Sequence, residues 1–493
     1  MTSPSAPVAP SQHPAGGYRE LLLLAVPLMI SAGTQSLMHI IDRIFLTWYS
    51  HDALAAALPS GVFFWAVLSL PFGVAQYVNT FVAQYEGAKR KDRVAASVWQ
   101  GVYFSIIAGG ILTIAAPLGI PLFHAIGHEG KIAALEGEYF YWLCWGSIPA
   151  LLTATLSCFF SGRGQMLVVS LVNMSGVLLN AMLDYCMIFG WGPFPEWGIA
   201  GAAFATNLAS CFCVVIYACL LLRPKVEHEY QFLSAWRLDA QLFPRLMRYG
   251  LPSGYNLFID IAGFTAFIMI IGLLGKRELA ATNIAFNLNT LAFIPVLGMS
   301  IAVSTLVGQR IGEGHPETAA STARKGFVIS GGYMLMFGLV YVLLPDLLMK
   351  PYSLRADGED AVSFVEIRDI VVVLLRFVAL YSFFDAMAII FGSAVRAAGD
   401  TLFSMFFTLC SSLLLLVLPT YLTWKYAEPS LFWSWVYCSI YVTTLGVGFC
   451  LRFLQGKWKS MRVIEPAPDD LDTNEADPAV VRLLATEPTA ADG

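Results

Sequence analysis

The sequence predicts an all-α integral membrane protein: twelve transmembrane helices in two six-helix lobes related by a pseudo-two-fold axis. Three observations carry that expectation. Apolar residues make up 57% of the 493 and charged residues only 13%, with a mean hydropathy of +0.67. A soluble surface needs about a quarter charged residues, so most of this chain faces something other than water. The charges that remain lie between long uncharged stretches, such as 53–85, 94–128 and 279–309. Each is longer than the ~20 residues a helix needs to cross a bilayer. The third observation is an internal repeat.

Taken in order, the apolar runs, broken by charge clusters and Gly/Pro, place the first lobe's helices at 20–48, 54–84, 94–119, 136–160, 166–190 and 198–222. Residues 1–17 carry no positive charge, so the apolar run at 21–30 lacks the basic n-region of a signal peptide and begins a spanning helix. A polar cytoplasmic stretch at 223–243 links this lobe, 18–222, to a second at 244–455. The second lobe's runs are 244–274, 279–307, 320–345, 366–394, 401–423 and 430–453. The polar 1–17 segment and the acidic 456–493 segment read as disordered tails.

Shifting the chain by 225 positions brings Pro27 onto Pro252, Gly73 onto Gly298, Thr80 onto Thr305, Gln84 onto Gln309, Gly87 onto Gly312 and Gly101 onto Gly326. Matched Gly, Pro and Gln arise by chance less readily than matched Leu. Gly164 answers Gly399 at a slightly larger shift, which fits an insertion near 346–365. Six helices per half is an even number, so both halves enter the membrane in the same direction, about an axis along its normal.

Lys and Arg set the orientation. Lys89, Arg90, Lys91, Arg93, Arg163, Arg245, Arg248, Arg310, Arg324, Lys325 and Arg396 fall on the side of the termini, and the opposite side is poorer in them. The asymmetry places both termini in the cytoplasm of a cell whose plasma (inner) membrane holds the chain. A net charge of −5 gives no sign of nucleic-acid binding. The nine cysteines lie in or beside apolar runs and form no CxxC pair, which argues against disulfides or a zinc site. His124 and His128 beside Glu129 have metal-like i, i+4 spacing, but no third ligand stands near, so no metal is expected. The sequence holds no GxxxxGK[ST] phosphate loop, so uphill work must draw on an ion gradient. Nor is there a nucleophile–base pair to suggest an enzyme.

Ionisable groups at bilayer depth cost about 2.5 kcal/mol or more, and each is a functional candidate. Four acids fall in spans: Asp42, Asp184, Asp260 and Asp385. Asn173, Asn180 and Asp184 share one face of the fifth helix, and Thr206 and Asn207 add polar groups on the sixth. In the second lobe, Asn256 and Asp260, Asn283 and Asn287, and Tyr381 and Asp385 are i, i+4 pairs. The repeat pairs Asp42 with Phe267 and Asp260 with Gln35, so the halves share a scaffold but not a site. Crowded carboxylates in low dielectric gain by taking up a proton or Na+. Pairing of Asp42 with the adjacent Arg43 is the bland alternative.

Ala25, Pro27 and Leu28, Asp42, Gly73, Gln84, Asn180, Asp184, the glycine-alanine run at 198–203 and Thr206 together resemble the multidrug and toxic compound extrusion (MATE) family. Gly250, Pro252, Asp260, the run at 307–312 and Arg396, Gly399 and Asp400 continue the resemblance across 20–455. It implies a V-shaped antiporter that exports small organic, cationic compounds in exchange for H+ or Na+, with no cofactor, working as a monomer among membrane lipids. It further implies an ion-coupling site at Asp42, Asn180, Asp184 and Thr206 and a second-lobe ion or substrate site at Asp260, Tyr381 and Asp385. Asp260 departs from the Glu usual on helix seven. Gln35, Asn173, Asn207, Asn256, Asn283 and Asn287 are candidate cavity-lining groups. Two rivals remain: a flippase for lipid-linked precursors, which calls for a basic interior, and a non-transporting receptor or scaffold, which calls for large extramembrane domains.

Overall fold

Where the sequence runs uncharged for more than twenty residues, the chain forms a helix, because backbone groups in lipid must be satisfied within the segment. The structure, a computed structural model, describes residues 17–126, 130–353 and 359–465. The N-lobe comprises α1 (Tyr18–Tyr49), α2 (His51–Gly87), α3 (Lys91–His124), α4 (Gly130–Trp145 and Ser147–Gly162, bent by 41°), α5 (Met166–Phe189) and α6 (Gly198–Leu221). The C-lobe follows with α7 (Leu242–Leu274), α8 (Lys276–Gly312), α9 (Pro316–Leu343), α10 (Glu366–Ala398), α11 (Thr401–Tyr426) and α12 (Leu431–Leu454). Apolar side chains line the outside of both: Ile114, Leu178, Met269 and Leu343 are each more than 65% exposed. That is a lipid-facing surface rather than a soluble one. Residues 1–16, 466–493, His128 and Glu129 lie outside the described residues.

Three helices depart from regularity: α3 passes through a 3₁₀ turn at Ala116–Leu118 beside Pro117, and α4 and α11 break for local reasons. At the α4 bend, Gly146 N donates to Leu143 O rather than Trp142 O, leaving Trp142 O without its helical partner. In α11 a π-helical stretch, Ser412–Val417, precedes Pro419. Proline offers no N–H to the carbonyl four residues back, and the wider turn accommodates the gap.

The repeat is visible in packing. Gly101 sits against Val78 and Thr155, and Gly326 against Val303 and Ile390. Between the lobes, Gly73 touches Gly254 while Gly298 touches Met29, the two-fold equivalent pair. The tips of α2 and α8 meet so closely that a Cβ on Gly87 would lie 2.0 Å from Gln309 O, and one on Gly312 2.0 Å from Gln84 O. Gln84 Nε2 donates to Ala397 O and Gln309 Nε2 to Gly162 O, both at 2.8 Å. Asn79 Nδ2 donates to Thr305 Oγ1 at 3.1 Å, and Arg310 pairs with Glu20 at 2.7 Å. All of these contacts lie in the half of the bundle that carries the termini. Toward the other face, Leu58, Val62 and Trp65 of α2 and Leu291 of α8 are exposed. The V is closed at the face of the termini and opens opposite.

Part of the segment expected to be a disordered tail is ordered: a short helix at Lys457–Ser460 and buried Trp458, Val463 and Ile464 fix the chain as far as Glu465.

Candidate functional site

The N-lobe acids come together because α5 lies parallel to α1 in a fixed register. Ser170 Oγ donates to Pro27 O at 2.6 Å and Asn173 Nδ2 to Ser31 Oγ at 3.2 Å. Continuing that offset along both helices brings Asp184 to Asp42. Between the two acids lies Asn180. With its amide nitrogen turned toward the carboxylates, it donates to Asp42 Oδ1 and to Asp184 Oδ2, each at 3.2 Å. The opposite corner of the amide lies 3.3 Å from Thr206 Oγ1 on α6. This orientation is the one that satisfies both ends of the side chain.

Asn180 and Asp184 are wholly buried, and Asp184 Oδ1 has no hydrogen-bond partner. Asp42 is 14% exposed, and its ion-pair neighbour is His39 at 4.0 Å, itself 65% exposed. Arg43 is exposed. Tyr139 of α4, missed in the sequence because tyrosine is abundant throughout, stands in electrostatic contact with both acids. Two carboxylates around one amide, with an unpartnered oxygen in a dry interior, form a site that a single proton or small cation stabilises.

Asn173 also accepts from Tyr217 OH at 3.3 Å, so it ties α1, α5 and α6 together. Asn207 has a different setting: its Nδ2 donates at 2.6 Å to Trp142 O, the carbonyl released by the α4 bend. A Cβ on Gly146 would fall 1.7 Å from Asn207 Oδ1, so glycine at the break leaves room for this brace. Gln35, Asn283 and Asn287 are exposed.

In the C-lobe, Asp260 and Asp385 lie within electrostatic range of each other, and Tyr381, 3% exposed, neighbours Asp385. Tyr441 OH donates to Asp260 Oδ1 at 3.4 Å. Arg396, counted among loop charges in the sequence, belongs instead to the last turn of α10 and turns inward. Its Nη1 donates to Asn256 Oδ1 at 3.4 Å, and its charge acts on Asp260. Asn256 Nδ2 in turn donates to Thr408 Oγ1 at 2.8 Å and Ser404 O at 3.3 Å. Tyr77 OH of the N-lobe donates to Arg396 O at 2.9 Å. Only a tertiary view finds Arg396, since in sequence it follows an apolar run like any flanking charge. At the position equivalent to Asp42, Phe267 is fully buried among Phe286 and Trp435. Sequence and structure agree that the lobes carry different chemistry on one scaffold.

The MatE family model matches residues 27–186 and again 252–422, two copies that begin 225 positions apart. The chain is similar to a probable multidrug resistance protein NorM from Thermotoga maritima, 28% identical over 90% of this chain and 94% of that one. It is also similar to the multidrug resistance protein NorM of Burkholderia vietnamiensis, 28% identical over 80% of this chain and 84% of the relative. Among solved structures, an outward-facing multidrug resistance MATE family transporter superposes with a TM-score of 0.80 at 20% identity, covering 89% of this chain and 96% of that chain. A MOP superfamily transporter from Pyrococcus furiosus, described as having a binding pocket of reverse polarity, gives a TM-score of 0.79 at 21% identity, covering 89% and 95%.

Proposed function

The chain belongs to the MatE family, and from that premise we propose that it is a secondary antiporter exporting small organic cations in exchange for H+ or Na+. The observation that carries this reading is Asn180 bridging Asp42 and Asp184 with Asp184 Oδ1 unpartnered. Emptied of a proton or cation, the pair buries two like charges; holding one, it carries a single negative charge shared across the amide. That difference in charge gives α1, α5 and α6 two packings of different energy. Coupling follows when ion and substrate prefer different packings, because equal affinity for both would shift nothing. The relatives named multidrug resistance proteins support an efflux role for the chain. An acidic N-lobe site favours a cationic solute over an anionic lipid-linked precursor.

The test is efflux of a fluorescent organic cation from proteoliposomes, with pH and Na+ gradients imposed separately. Wild type should export under one gradient and Asp42→Asn under neither. Unchanged gradient-driven efflux in Asp42→Asn refutes the coupling assignment. Efflux that ignores both gradients refutes the antiport reading.

A further inference from the structure

After α12 the chain turns back across the face that carries the termini. Trp458 is fully buried, stacks on Phe453 at 5.0 Å and donates Nε1 to Phe453 O at 2.8 Å, which fixes the start of the segment to the C-lobe. Five residues later Val463 N donates to Gln84 Oε1 at 3.0 Å, on the α2 tip of the N-lobe. The same Gln84 amide holds Ala397 O across the lobe boundary. Val463 and Ile464 are buried against α2 and the first turns of α7.

Glu465 ends this strap in a cage of positive charge. Its carboxylate accepts from Tyr85 OH at 2.7 Å, Arg90 Nη2 at 2.6 Å, Arg93 Nε at 3.2 Å and Arg245 Nη1. Arg90 Nη1 also donates to Glu465 O at 3.3 Å, and Asp239 takes the other face of Arg93 at 2.7 Å. Arg90 and Arg93 belong to the N-lobe's α2–α3 turn and α3, whereas Arg245 lies in the first turns of α7. Burial disfavours the charged form of Glu465, but the Tyr85 hydrogen bond and the Arg93 and Arg90 charges outweigh it and hold the carboxyl below its ordinary range. It is an anion at neutral pH.

We propose that Glu465 is a positioning residue of the transport cycle: its carboxylate latches the two lobes together at this face and lets go when they part. Three arginines from two lobes converge on one carboxylate whose segment is anchored in the C-lobe. Separation at this face must therefore stretch the strap or break the ion pairs. Charge-assisted bonds of this kind are the strong ones. The inference rests on the alternating motion assumed in the proposed function, but its measurement requires neither substrate nor gradient.

Spin labels on Asp92→Cys and His315→Cys, in a cysteine-free full-length background, report the separation of the α3 and α9 starts by pulsed EPR. Wild type should show a dominant short distance. Glu465→Gln, which keeps the shape and loses the charge, should raise the open-to-closed ratio roughly tenfold or more. Deleting 456–493 should raise it at least as much, and Glu465→Asp should fall between wild type and Glu465→Gln. Distributions identical to wild type in Glu465→Gln overturn the latch, whether or not the truncated chain folds. An inactive wild type with a shifted Glu465→Gln distribution counts against antiport and leaves the latch standing.

Discussion

A methyl group at residue 87 tests whether the α2–α8 tip contact holds the closed face. In Gly87→Ala the new Cβ would lie 2.0 Å from Gln309 O, 2.8 Å from its carbonyl carbon and 3.0 Å from its Cα. All three are backbone atoms, so no rotamer change relieves the clash. Ordinary contact between such atoms begins near ~3.5 Å, which requires the tips to separate by roughly 1.5 Å. The bonds from Gln84 to Ala397 O and from Gln309 to Gly162 O, both 2.8 Å, then pass beyond hydrogen-bonding range. Two bonds at about 0.5–1.5 kcal/mol each sum to about 1–3 kcal/mol, or roughly five- to 150-fold in the closed-to-open ratio. The label pair on residues 92 and 315 reads that ratio directly. Gly312→Ala should produce the same shift, because its Cβ meets Gln84 O at the same 2.0 Å. Gly332→Ala is the control, since a Cβ there meets nothing within 4 Å. If Gly87→Ala and Gly332→Ala give the same distance distribution, the closed tip contact does not hold the lobes.

Four further outcomes are expected. Asp184→Asn should abolish ion-coupled efflux while leaving equilibrium substrate binding within a few fold, measured by fluorescence anisotropy in detergent. Gly146→Ala should lower the melting temperature, and adding Asn207→Ala should recover part of the loss, because the 1.7 Å clash disappears with the amide. Arg396→Gln should lower the melting temperature at neutral pH, because Asp260 loses the positive charge that acts on it and Asn256 its 3.4 Å donor, and a second substitution, Asp260→Asn, should recover part of the loss. The fourth outcome concerns pH. Glu465, facing Tyr85, Arg90, Arg93, Arg245 and the nearby Asp239, is depressed below its ordinary 4.5 in the closed state, so its contribution is complete above 4.5 and is lost as pH falls through the lower, closed-state value. The open-to-closed ratio should therefore climb only at acid pH, and Glu465→Gln should flatten that climb.

The helices were legible because lipid imposes one rule on every span: long, predominantly apolar and helical. The repeat was legible for a sharper reason. Gly73, Gly87, Gly298 and Gly312 match across the halves because each allows a helix to approach a neighbour's backbone. The clustering of the N-lobe polar groups was legible too, since Asn173, Asn180 and Asp184 lie on one helical face and that face meets α1. What escaped were features set by tertiary placement. Asn207 reads as one more polar group on α6 until the α4 bend exposes a carbonyl to it. Arg396 reads as a flanking charge until α10 proves to extend to Ala398. The strap through Val463 and Glu465 reads as the start of a polar tail, because nothing local in a Lys- and Arg-rich stretch reveals partners on α2, α3 and α7.

The two lobes answer the problem of buried acid differently, and that difference bears on where the proposed coupling would reside. Asp260 has a built-in counter-charge in Arg396, with Tyr441 and Asn256 completing the network. A carboxylate already balanced by a tethered cation gains little from a second, mobile one. Asp42 and Asp184 share an amide instead, the cations acting on Asp42 are the exposed His39 and Arg43, and one oxygen of Asp184 is left unpartnered. Arriving charge has most to neutralise there. Because the repeat places Phe267 at the position of Asp42, the scaffold can rock symmetrically while its energetics stay one-sided. By this argument, adding Arg396→Gln to the Asp42→Asn variant should return part of the gradient-driven efflux, since Asp260 then lacks its tethered counter-charge and gains from a mobile one, and a double variant as inactive as Asp42→Asn alone would count against it.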